Sequence, residues 1–139
     1  MSRGQNSICA SHSSSIGTRS SETWNSSVSR VDGARYIEVP DPGFVHDLDG
    51  MAAAVDEEVR LVFVANPNNP TGTMVGQEAL DRFVERLPED VVAVFDEAYH
   101  EYVTDPRHRT MLPLALERPN VVVLRTFSKV YGLAGLRIG

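Results

Sequence analysis

Residues 61–95, LVFVANPNNPTGTMVGQEALDRFVERLPEDVVAVF, read as a strand, a turn-rich loop, a helix and a second strand. The two ends, 61–65 (LVFVA) and 91–95 (VVAVF), are continuous apolar runs of strand length. Between them Leu80, Phe83, Val84 and Leu87 recur at three- and four-residue spacing, which predicts a helix over 77–87. Strands without polar alternation are buried on both faces, and a helix between two of them makes a β-α-β unit with parallel strands.

The pattern extends in both directions. Downstream, 121–124 (VVVL) predicts a third apolar strand, after a helical turn or two around 111–117. Upstream, Asp47 can cap a helix running to about 56, with Leu48, Met51, Ala52 and Val55 on one face. Before it, 34–39 (ARYIEV) predicts a short strand stopped by Pro40 and an Asp41-Pro42-Gly43 turn. The fold class is α/β, a mostly parallel sheet with flanking helices.

Residues 1–30 have a different composition, with eleven serines and only scattered apolar side chains. Neither helical nor strand period runs through them, so this segment reads as disordered or poorly packed. The expected organisation is a serine-rich 1–30 and a folded 31–139.

With 139 residues, 42% hydrophobic and 23% charged, the chain suits one globular domain of modest core. A net charge of −6 argues against nucleic acid or an anionic membrane as partner, since both select basic surfaces. No apolar stretch is long enough to span a bilayer, and no apolar core follows Arg3 as a secretory signal requires. The single Cys9 excludes an internal disulfide and fits a reducing compartment, so the cytoplasm is the expected location.

In a parallel sheet, ligands sit beyond the carboxyl ends of the strands. Three polar motifs follow the three apolar strands and should therefore meet on one rim: 66–72 (NPNNPTG), 96–99 (DEAY) and 126–129 (TFSK). The first is a rigid loop by composition; a site reading gives Asn69 an amide donor aimed at a ligand oxygen. Asp96 ends an apolar strand, where it serves as a turn-former or as a carboxylate for a cationic ligand. Tyr99 follows three residues later, with half-buried packing as its plain role. Glu97 and Glu101 read as structural or solvated.

Lys129 alone would be a surface lysine. Its neighbours alter the reading, because a primary amine forms a Schiff base with an aldehyde, while Thr126, Ser128 and Arg137 suit a phosphate dianion. Gly132 and Gly135 would admit a close backbone approach. The spacing GxxxxGK[ST] of a nucleotide P-loop is missing, no serine sits in GxSxG, and the four histidines with Cys9 show no metal-ligand spacing.

In this order and spacing, NPNNPTG, DEAY and RTFSKVYGLAGLRIG resemble the fold-type I, class I/II aminotransferases that use pyridoxal 5′-phosphate (PLP). The likeness is greatest to the histidinol-phosphate branch and its aromatic relatives, and it covers about 31–139. It implies a partial PLP-binding large domain and transfer of an amino group from histidinol phosphate or an aromatic amino acid to a 2-oxo acid such as 2-oxoglutarate. By the same likeness, Lys129 would be the Schiff-base and proton-shuttling lysine. Asp96 would pair with the pyridinium nitrogen, Asn69 and Tyr99 would bind the ring oxygen, and Thr126, Ser128 and Arg137 the phosphate.

Family members are longer and homodimeric, with sites completed by upstream and downstream segments and by the partner subunit. The resemblance therefore implies a central fragment, carrying part of the interface and at risk of inactivity alone. A non-catalytic remnant and a PLP-dependent decarboxylase of the same fold stand as alternatives.

Overall fold

Strands β3 (Val59–Ala65) and β4 (Val92–Asp96) pair in parallel, with helix α2 (Gln77–Arg86) between them in sequence. The predicted β-α-β unit is thus present, with Leu61 opposite Val92 and Ala65 opposite Asp96. These positions come from a computed structural model of the chain, which describes residues 7–12 and 35–137. Helix α2 starts after Gly76 and stops at Arg86, one residue short of expectation, with Leu87 extended as its C-cap. It buries Leu80, Phe83 and Val84, the spacing that predicted it.

The remaining elements are β1 (Ser7–His12), β2 (Arg35–Pro40), α1 (Leu48–Ala54), α3 (Leu112–Glu117) and β5 (Val121–Leu124). The five strands form one sheet in the order β2-β1-β3-β4-β5, parallel throughout. Strand β1 lies inside the serine-rich segment expected to lack regular structure, and it corrects that expectation over six residues. Its backbone is paired on both sides, Cys9 opposite Ile37 on one and opposite Val62 on the other. Such pairing is a non-local stabilisation, which a local hydrophobic period does not report. The rest of 1–30 lies outside the described residues, as do 31–34 and the last two positions.

Helix α1 shows how its own sequence forces the packing. Asp47 caps it, its Oδ1 accepting from Gly50 N at 2.9 Å, which satisfies one of the orphan amides of the first turn. A side chain at Gly50 would put Cβ 2.6 Å from Asp47 Oδ2 and 3.1 Å from Val39 Cγ1. Glycine there lets the cap and strand β2 close onto the helix. His46, one residue before the cap, reaches the Ala65 carbonyl with Nε2 at 2.8 Å, while its Nδ1 lies 3.3 Å from Asp41 Oδ2. This buried bridge ties the segment after β2 to the carboxyl end of β3.

One hydrophobic cluster joins Met51 of α1 and Leu80, Phe83 and Val84 of α2 to Val62, Val64, Ala93 and Phe95 of the sheet. The expected cover on both faces holds in the middle of β4, where Ala93, Val94 and Phe95 are all buried. It fails at β5. Val121 is buried there, but Val122 and Leu124 are 38% and 44% exposed, and they share a face with Val94 and Asp96. Among the described residues no helix is long and apolar enough to cross a membrane.

Candidate active site

In register, Ala65, Asp96 and Leu124 form one row at the carboxyl end of the sheet. The ladder continues a step further, Asn66 N donating to Asp96 O and Glu97 N to Leu124 O, both at 3.0 Å. The three polar motifs therefore leave the sheet side by side, as the strand pattern requires.

The loop after β3 divides its amides between two duties. Asn66 is buried and exchanges two hydrogen bonds with the Val75 backbone, its Oδ1 accepting at 3.0 Å and its Nδ2 donating at 3.3 Å. Asn68 is buried and donates to Thr71 Oγ1 at 2.9 Å, while its carbonyl accepts from Gly72 N. Gly72 takes φ +72°, a conformation that favours glycine. With those two amides closing the loop, Asn69 is left exposed and donates to Tyr99 Oη at 3.3 Å.

Asp96 Oδ1 accepts from Ala98 N at 3.0 Å, the turn-forming bond that a strand-ending aspartate makes. A carboxylate has further acceptor capacity, and Asp96 lines the hollow above the row. Tyr99 is brought over the same hollow by the turn, and Lys129 Nζ stands 5.2 Å from the centre of its ring, within cation–π range. Ala65, Pro67, Asn69, Pro70, Asp96, Ala98, Tyr99 and Lys129 enclose a cavity of about 430 Å³. That size falls within the ~300–1,000 Å³ of ordinary small-molecule sites.

Four predicted site residues, Asn69, Asp96, Tyr99 and Lys129, thus meet on one cavity. The other three do not line it. Thr126 Oγ1 accepts from Ser128 N at 3.0 Å, holding the turn that presents Lys129, and Lys129 O accepts from Gly132 N at 2.9 Å. Arg137 is exposed in a left-handed conformation (φ 54°), and its Nη1 donates to its own turn at Ala134 O, 3.3 Å away. Among the described residues, no protein segment approaches Gly132 or Gly135 closely. A Cβ at either would meet nothing within 4 Å, and Gly132 is required instead by its φ of +66°.

Sequence reasoning gave Arg125 no role, yet it closes a polar cluster beside the rim. Its Nε donates to Glu97 Oε2 at 2.9 Å and its Nη1 to Glu101 Oε1 at 2.8 Å. Glu97 is 1% exposed and also accepts from Thr110 Oγ1 at 2.7 Å and Met111 N at 2.6 Å. The structural reading of both glutamates stands. The available signal was a charged residue at the end of each of two adjacent apolar strands, one acid and one base.

Behind this cluster, His100 Nδ1 and His108 Nε2 are 2.9 Å apart. Burial, and then the charge of His100, hold the His108 imidazole below its ordinary 6.5. The unfolded chain therefore binds more protons between that lowered value and 6.5. Stability should rise with pH through this window, level off above it, and fall on acidification below 6.5. Urea midpoints measured between about pH 5 and 7 should fall less on acidification in His108→Asn than in the parent chain. Equal slopes in the two proteins would refute the assignment.

Comparison with known proteins follows the same lines. The profile of the family described as aminotransferase class I and II matches residues 26–139. An aromatic amino acid aminotransferase of Streptomyces avermitilis is 56% identical over 113 residues, 81% of this chain and 32% of that one. A histidinol-phosphate aminotransferase of Brevibacillus brevis is 53% identical over 109 residues, 78% of this chain and 30% of the relative. The crystal structure of histidinol-phosphate aminotransferase from Sinorhizobium meliloti, in complex with PLP, superposes with a TM-score of 0.77 at 33% identity. That match covers 99% of this chain and 35% of the other. The chain spans about a third of the length of these relatives.

Proposed function

The chain belongs to the class I and II aminotransferases, and on that premise we propose that it serves PLP-dependent transfer of an amino group. The donor is histidinol phosphate or an aromatic amino acid, in keeping with the names of its relatives. The acceptor is a 2-oxo acid, for which 2-oxoglutarate is our choice. One observation carries the reading: an amine, a carboxylate, a phenol and an amide from three strand ends share one cavity.

Those four groups suit three positions on the PLP ring. Lys129 supplies the primary amine for the aldehyde carbon, Asp96 the carboxylate for the ring nitrogen, and Tyr99 with Asn69 the donors for the ring oxygen. Thr126, Ser128 and Arg137 are assigned to the phosphate, which requires Arg137 to leave Ala134 O. When bound, PLP supplies an electron sink for negative charge at the substrate α-carbon.

The chain's own side chains do the rest. Asp96, a hydrogen-bond acceptor oriented by Ala98 N, would favour a proton on the ring nitrogen of bound PLP by charge attraction. Tyr99 and Asn69, already bonded to each other, would hold PLP through its ring hydroxyl oxygen. With PLP bound, the Lys129 Nζ amine would be the base that takes the substrate α-proton and delivers it to the cofactor's aldehyde-derived carbon. We assign residues 31–139, together with strand β1 that lies inside their sheet, to the cofactor-binding domain, and the lone Cys9 to a reducing, cytoplasmic setting.

The test is a product assay on the purified chain supplied with PLP, 2-oxoglutarate and one donor. Histidinol phosphate or phenylalanine should drive glutamate formation. Release of carbon dioxide from phosphothreonine, with no glutamate from any donor, would replace the aminotransferase reading with the decarboxylase one.

A further inference from the structure

At the carboxyl ends of β4 and β5, residues on the cavity side alternate with residues on the opposite side of the sheet. Successive side chains on a strand point to opposite sides, so Asp96 on the cavity side is followed by Glu97 on the buried side. Arg125 on the buried side is likewise followed by Thr126, where the Lys129 turn begins. Glu97 and Arg125 pair directly beneath, with Nη2 to Oε2 at 2.9 Å in addition to the Nε bond. Thr110 Oγ1 bridges the two, donating to Glu97 and accepting from Arg125 Nη2 at 2.9 Å. Both ionic partners are thereby multiply hydrogen-bonded, which holds the half-buried Arg125 and the buried Glu97 in one geometry.

We propose that Glu97 and Arg125 are positioning residues for the cofactor: their pair locks the end of β4 to the end of β5 and so sets the spacing between Asp96 and Lys129. The proposal rests on the PLP reading above. It adds that two side chains which never touch PLP determine how firmly and in what orientation it is held. The backbone bond from Glu97 N to Leu124 O joins the strands one residue below the pair. Beyond it the segment 125–129 is tied to β4 and its loop by the Arg125 side chain. A displacement of about 1 Å at reacting groups is enough to cost ~10²-fold in rate, so this tie is placed where looseness matters.

The test compares Glu97→Gln and Arg125→Lys with Leu80→Ala, a core truncation in α2 remote from the rim. Each protein is titrated with PLP, and the visible circular dichroism per mole of bound PLP is recorded at saturation, together with the urea midpoint. Glu97→Gln and Arg125→Lys should bind PLP roughly 10-fold or more weakly, the scale on which outer-shell partners act. Their visible dichroism at saturation should fall as well. Leu80→Ala should lose stability without losing either signal. Thr110→Val leaves both charges in place and should shift the signals the same way by less, which keeps the test decisive if Glu97→Gln does not fold. Parent-like affinity and dichroism in the rim variants, or losses no larger than those of Leu80→Ala, overturn the proposal alone. A parent chain that shows no Lys129-dependent visible band overturns the cofactor reading and this one with it.

Discussion

Lys129→Ala is expected to abolish covalent capture of PLP. After borohydride reduction the parent chain should carry a near-stoichiometric label on Lys129, and the variant only background. Affinity should fall on the order of 10²-fold or more, because a covalent tether is replaced by a few hydrogen bonds. Lys129→Arg separates charge from chemistry. A guanidinium can remain over the Tyr99 ring, where Lys129 Nζ now stands at 5.2 Å, yet it does not form a Schiff base. Arginine should therefore fail as alanine does. A label that persists elsewhere on the chain at parent level in Lys129→Ala would remove Lys129 from the site.

Phe95→Ala should be the most damaging change to the fold. Phe95 is fully buried at 0% exposure, in the central cluster and one residue before Asp96. Phenylalanine-to-alanine changes in cores cost about 3–5 kcal/mol through lost transfer energy and the cavity left behind. Domains are stable by only about 5–15 kcal/mol, so this truncation removes much of the reserve. Urea unfolding followed by far-ultraviolet circular dichroism measures it. Phe95→Leu, which leaves a smaller void, should fall between the two. A loss below about 1 kcal/mol in Phe95→Ala would mean that the cluster does not govern stability.

The contrast between these residues tells what each depends on. Phe95 is replaceable by an apolar side chain that fills its volume, whereas the role proposed for Lys129 depends on one nitrogen. Their positions nevertheless depend on each other. The row Ala65, Asp96, Leu124 exists because β3, β4 and β5 pair in register, and that pairing rests on the cluster beneath it.

Much of the sheet was legible in the chain itself. The apolar runs at 61–65 and 91–95 and the spacing of Leu80, Phe83 and Val84 specify strands and helix by burial alone, a local property. Parallel pairing followed, because a helix lies between the strands. Strand β1 was not legible: six residues, SICASH, have no period of their own, and backbone pairing with β2 and β3 makes them a strand. The exposed Val122 and Leu124 show the reverse case, apolar residues that read as buried and lie at an edge.

For the site, residue chemistry and order were enough to nominate Asn69, Asp96, Tyr99 and Lys129, since each follows a strand that must end at the same rim. Only the tertiary structure decided that Asn69 is the one presented amide, because Asn66 and Asn68 spend theirs on closing the loop. It also decided that Arg137 turns back on Ala134 and that Arg125 grips Glu97. Periodicity and motif order are properties of neighbours along the chain. Which of several equivalent polar groups is left free depends on contacts that reach from 3 to 30 residues along the chain, and the long ones exist only once the sheet has assembled.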